Sequence, residues 1–174
     1  MNKTWNKTYK ILGIINLIFG LIIIYKIFEF TQSQISHMEK LSEQSGFPKY
    51  DISLIDLLLH NSNRFPFIIG ILFITSGILI VLKKKIGWNL SYISWIITAL
   101  ILIPITIYGI RDVTVTVIGS EYWIQIYSGI GLILSLTFIV FLSLKPIRIM
   151  NNINKQSWLL SIGIFFLIYL TRMI

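Results

Sequence analysis

The chain alternates long apolar runs with short charged breaks, and five of the runs read as membrane-crossing helices. The first covers residues 11–28, behind Lys3, Lys7 and Lys10, and the second covers residues 65–82 and closes on Lys83, Lys84 and Lys85. The third, residues 90–108, carries Pro104 near its outer end, where a proline is tolerated if neighbouring groups satisfy the backbone. The fourth runs over residues 122–144 and stops at Lys145-Pro146. The fifth, residues 158–170, reaches roughly 20 Å at the helical rise. It must thin the bilayer or draw on the whole of residues 157–174 to cross. With their flanks, the predicted spans are 9–29, 65–82, 89–108, 121–144 and 157–173, within one membrane domain covering residues 1–174. A four-span chain whose last segment lies on the membrane surface is the alternative. A basic start before an apolar run also describes a signal peptide, but no small-residue cleavage site follows. The chain continues Lys26, Ile27, Phe28, Glu29, Phe30, so the first run is read as a retained span.

The polar stretches between the runs carry patterns of their own. Residues 31–44 contain no helix breaker, and Ile35, Met38 and Leu41 recur at near-helical spacing before Gly46 and Pro48 supply a stop. The first helix is therefore expected to project beyond the membrane to about Ser45. A second short helix is expected next, with Ser53 and Asp56 spaced as a capping box and Ile52, Ile55, Leu58 and Leu59 on one side. The outer loop 31–64 thus holds amphipathic helices suited to the membrane interface. In the other outer loop, residues 113–118 alternate Val and Thr as an extended segment would. Gly119-Ser120 either turns this segment into a hairpin with residues 122–127 or provides Ser120 as the N-cap of the fourth span. The N-cap is favoured, because the fourth span needs residues 122–127 to reach about 20 residues.

Composition agrees with the pattern. Hydrophobic residues make up 55% of the chain and charged residues 13%, about half the share a soluble domain of this size spends on its surface. The mean hydropathy is +0.80. The expected fold is an all-α, polytopic membrane bundle in contact with lipid. A net charge of +8 raises the question of nucleic acid, but the basic residues cluster beside apolar runs and form no basic helix face with interleaved aromatics. They are read as topology signals instead. With five spans, one side of the membrane holds Lys3, Lys7, Lys10, Lys83, Lys84, Lys85, Lys145, Arg148 and Lys155. The other receives all seven acids, Glu29, Glu39, Glu43, Asp51, Asp56, Asp112 and Glu121. Lys and Arg near span ends set orientation, so the amino terminus is expected to be cytoplasmic. Abundant Ile, Asn and Lys is the signature of an AT-rich bacterial genome, which makes a bacterial cytoplasmic membrane the expected location. The absence of cysteine excludes disulfides, thiolate metal sites and cysteine nucleophiles.

Candidate chemistry is sparse. No ionisable residue falls near mid-bilayer, and that is the feature which most often marks a transport pathway. Lys26 and Glu29 stand three residues apart at the outer end of the first span, as a snorkelling pair would. Asn16 is the one strongly polar side chain deep in a span, and Gly13, Asn16 and Gly20 share a helix face. Small residues with an asparagine at this spacing suit a close helix contact, with a ligand contact as the alternative. Ser91, Ser94 and Thr98 form a second such stripe. His37 and His60 share the first outer loop with Glu39, Glu43, Asp51 and Asp56, but no metal-binding spacing links them. No nucleophile elbow, phosphate loop or dinucleotide fingerprint occurs, so no catalytic, cofactor-binding or metal-binding residue is assigned. One internal echo stands out. Lys85, Trp88, Leu90 and Ser91 repeat the spacing of Lys155, Trp158, Leu160 and Ser161 as K-x-x-W-x-L-S. Either a duplicated hairpin or the shared demands of an interface-entering helix produces such an echo. The expected role is a non-catalytic accessory or scaffold component. It would contact a protein partner through residues 31–63, or associate with copies of itself. A small transporter or channel-like oligomer for a neutral or apolar solute is the alternative.

Overall fold

The computed structural model describes residues 3–45, 61–112 and 120–170, and all regular structure among them is helical. The helices are α1 (Lys3–Ser45), α2 (Asn61–Val81), α3 (Lys85–Asp112), α4 (Ser120–Ser143), α5 (Lys145–Met150) and α6 (Lys155–Leu170). Among the described residues, α1 to α4 are long and apolar enough to cross a membrane. The chain is therefore an all-α, multi-pass membrane bundle. The predicted capping box at Ser53 and Asp56, the apolar set Ile52, Ile55, Leu58 and Leu59, His60, and the Val/Thr segment all lie outside the described residues.

α1 has 43 residues and so is about 64 Å long, roughly twice the thickness of a bilayer's hydrocarbon core. Its apolar part ends near Phe30, and the helix continues unbroken through the polar segment to Ser45, as the missing breakers predict. α4 starts at Ser120, which places residues 122–127 in the helix and removes the hairpin alternative. Pro104 lies inside α3, which runs on to Asp112. Lys145-Pro146 ends the fourth apolar run but also begins α5, because proline's fixed φ and missing N–H suit a first helical turn. α6 has 16 residues, about 24 Å, which is shorter than the usual span of about 20 residues.

Lipid-facing and buried surfaces are divided in a way that a water-soluble bundle would reverse. Ile133, Val140, Leu159 and Leu167 are each more than 60% exposed, whereas Asn16, Ser76, Ser91, Ser94 and Ser135 are fully buried. Water would penalise an apolar surface of that extent, and lipid does not. Small and polar residues inside let the helix backbones approach. α1 and α2 run antiparallel, with Gly13 against Gly77 and Gly20 against Gly70. A Cβ added at Gly20 would lie 2.7 Å from the Gly70 carbonyl oxygen, and one added at Gly77 would lie 2.6 Å from that of Gly13. Only glycine permits this spacing.

Two corners of the chain share one construction. At the end of α2, the Lys83 N–H donates to the Ile80 carbonyl at 2.9 Å and the Lys84 N–H to that of Leu79 at 2.8 Å. Lys83 takes a left-handed φ of 56°. At the end of α5, Asn152 donates to Ile149 at 3.1 Å and Ile153 to Arg148 at 2.9 Å, with Asn152 at φ 51°. Both are Schellman caps built without glycine, and each leads into a K-x-x-W-x-L-S helix. α6 is then capped by Asn154, whose Oδ1 accepts from the Ser157 N–H at 3.0 Å.

Candidate functional site

The centre of the bundle is built around Asn16. Its position on the Gly13–Gly20 face of α1 turns the side chain toward α2 and α3, where it is fully buried. The Asn16 Nδ2 donates to Ser91 Oγ at 2.7 Å and to Ser76 Oγ at 3.1 Å. The Trp95 Nε1 donates to Asn16 Oδ1 at 3.1 Å. Both amide hydrogens are thus engaged, and the oxygen accepts a bond from a third helix position. The Ser76 hydroxyl in turn donates a hydrogen bond to the Phe73 carbonyl at 3.0 Å. Each hydrogen bond of this kind between membrane helices contributes on the order of 1 kcal/mol. Their joint effect is to fix the mutual rotation of α1, α2 and α3.

Aromatic rings close the space around this node. Phe73 meets Trp95 edge-on at 4.8 Å between centroids, while Phe19 and Phe138 stack on Trp95 at 5.4 and 4.5 Å. α4 enters the same cluster through Phe138. It is tied to α3 by the Trp88 Nε1, which donates to the Leu142 carbonyl at 3.0 Å, and by Thr106 Oγ1, which donates to Ser128 Oγ at 3.2 Å.

The stripe Ser91, Ser94 and Thr98 divides. Ser91 reaches across to Asn16, whereas Ser94 and Thr98 donate to the carbonyls of Leu90 and Ser94 in their own helix, each at 2.8 Å. A back-bonded hydroxyl needs no partner from another helix or a ligand. Lys26 and Glu29 do pair, at 2.7 Å, and both are exposed on α1. His37 is exposed on the projecting part of α1. Among the described residues no three potential metal ligands converge.

The two echoing motifs come together. The Trp88 and Trp158 rings meet edge-on at 5.3 Å, and Tyr92 stacks on Trp88 at 5.0 Å while meeting Trp158 edge-on at the same distance. α3 and α6 therefore start side by side and run parallel from one end of the bundle. Ser157, Ser161 and Ile168 form the buried face of α6. That face explains the serine in the motif, since a small residue lets the helix approach its neighbours.

Asn16 and Ser91 are legible in the sequence, but their partners Ser76 and Trp95 are not. Serine is common in apolar helices and tryptophan reads as an interface anchor, so neither residue signals a buried hydrogen bond by itself. Asn89 was also missed. It is 1% exposed, and its side-chain carbonyl oxygen has no hydrogen-bond partner. Comparison with known proteins adds no identity: no family model matches the chain, and neither does any curated protein or solved structure.

Proposed function

We propose that the protein is a non-catalytic component of a membrane complex, with its basic end in the cytoplasm and the far end of α1 projecting outside as a docking element for a protein partner. The observation that carries this reading is how the interior polar groups are used. Ser76, Ser91 and Trp95 each bond to Asn16, and Phe19, Phe73 and Phe138 pack around them. A solute pathway keeps polar atoms available to its cargo, whereas these are committed to holding helices together. The projecting part of α1 supports the docking role, because Met38 and Leu41 are exposed on it beyond the apolar span. The clustering of Lys7, Lys10, Lys83, Lys84, Lys85, Lys145, Arg148 and Lys155 supports the orientation, for a chain of five spans in a bacterial cytoplasmic membrane.

Two measurements on the intact chain test the proposal. A photo-crosslinker at Met38 in living cells should give one discrete protein adduct, and the same probe at the lipid-facing Leu167 should give none. Purified protein in liposomes should leave the permeability to small neutral solutes at the level of empty liposomes. Adducts to lipid alone, together with protein-dependent solute flux, would overturn the accessory reading in favour of a transporter.

A further inference from the structure

The start of α3 and the start of α6 border a groove of about 330 Å³, lined by Lys85, Ile86, Asn89, Gln156, Ser157 and Leu160. Its floor and rim differ in chemistry. Asn89 and Ser157 are buried in the floor, while Lys85 and Gln156 are exposed at the rim beside the exposed apolar side chains Ile86 and Leu160. Ser157 is fully used by the cap of α6: its hydroxyl donates to Asn154 Oδ1 at 2.9 Å and accepts from the Asn154 N–H at 3.3 Å. Asn89 is not. Its carbonyl oxygen is buried without a donor, an unfavourable arrangement in a folded protein. A protein that wanted only packing here would have an apolar residue at this position.

We infer that this groove holds the headgroup of an anionic phospholipid that carries a hydroxyl, such as a glycerol headgroup. Three features of the groove match three parts of that molecule. The Lys85 ammonium and the positive ends of two helix dipoles, at the first turns of α3 and α6, attract the phosphate. Lys83 and Lys84 precede the site in the chain and Lys155 opens α6, so the surrounding potential is positive as well. The headgroup hydroxyl pairs with the amide of Asn89, which lines the floor of the groove. Ile86 and Leu160 lie where the apolar part of the lipid would continue along the bundle. The convergence of two K-x-x-W-x-L-S helices at one end of the bundle thus has a chemical consequence. It sets two helix N-termini and a lysine around a single polar floor, a juxtaposition that one such motif does not create.

A phosphate ester in solution offers the same charge and hydroxyl, so the test separates the two sources. The full-length protein is delipidated in neutral detergent and melted with phosphatidylglycerol, phosphatidylcholine or glycerol 3-phosphate added, and its retained lipid is read by native mass spectrometry. Phosphatidylglycerol should raise the melting temperature and remain bound at one equivalent, and phosphatidylcholine should do neither. Lys85→Gln should weaken the lipid response about fivefold, the scale of one basic residue at an anionic membrane surface. Asn89→Leu should weaken it while leaving the lipid-free protein at least as stable. Lys145→Gln removes a charge from the same end of the bundle but not from the groove, and should leave the response unchanged. An equal loss for Lys145→Gln and Lys85→Gln would show diffuse electrostatics and overturn the assignment. So would an equal response to glycerol 3-phosphate, which would mark a site for a soluble phosphate ester.

Discussion

Replacing Asn16 by leucine removes the polar centre of the bundle while keeping a branched side chain with the same number of heavy atoms, and the cost falls differently on each partner. Ser76 already donates to the Phe73 carbonyl, so it loses an incoming bond but stays satisfied. Ser91 can turn its hydroxyl onto a carbonyl of its own helix, as Ser94 does onto Leu90. Trp95 has no such escape, because its Nε1–H is held against Asn16 among Phe19, Phe73 and Phe138. Stranding that donor costs about 1–3 kcal/mol. The two lost serine contacts add about 1 kcal/mol, at the 0.6 kcal/mol average measured between membrane helices. Asn16→Leu should therefore destabilise by about 2–4 kcal/mol, as read from denaturant titration in detergent micelles. The same hydrogen bond also fixes a coupling. Trp95→Phe removes the stranded donor, so Asn16→Leu should cost markedly less in a Trp95→Phe background than alone. A parent-like titration for Asn16→Leu, or strict additivity of the two substitutions, would refute the assignment of Trp95 as the principal partner.

Gly20→Ile should separate α1 from α2 and destabilise more than Asn16→Leu, because its Cβ alone would stand 2.7 Å from Gly70 backbone. Gly163 on α6 has no heavy atom within 4 Å of an added Cβ, so Gly163→Ala should melt with the parent or above it. Lys83→Gly should stabilise by up to about 1 kcal/mol, since it relieves a left-handed conformation that glycine adopts freely. Asn152→Gly should gain less, because asparagine already tolerates that conformation. Thermal melts in one detergent would check all four, and a loss of stability in Lys83→Gly would contradict the strain argument.

The sequence made some of these features legible and hid others, for physical reasons. The four long apolar helices were readable because lipid demands long apolar runs, and the continuation of α1 to Ser45 was readable because nothing between residues 31 and 44 breaks a helix. The Gly13–Asn16–Gly20 face was readable because an asparagine flanked by glycines is unusual in an apolar run. Which way the other helices turn was not. α2 and α3 are apolar nearly all round, so no amphipathic period marks the face that receives Asn16, and Ser76 and Trp95 were lost among similar residues. α5 is hidden in the sequence because Lys145-Pro146 reads as a stop, although a proline that ends one helix also suits the first turn of the next. The K-x-x-W-x-L-S echo was visible as a pattern. That its two tryptophans touch, and that Asn89 lies buried beside them, follows from helix placement in three dimensions.

The basic end of the membrane-crossing bundle and the projecting end of α1 are expected on opposite sides of the membrane, and the cysteine-free sequence allows this to be tested directly. Gln44→Cys and Lys84→Cys each place one thiol at an exposed position, near the far end of α1 and at the corner between α2 and α3. Intact cells are treated with a membrane-impermeant maleimide, and labelling is compared before and after lysis. Gln44→Cys should be labelled in intact cells, and Lys84→Cys should be labelled only after lysis. The reverse pattern, or equal labelling of both in intact cells, would contradict it.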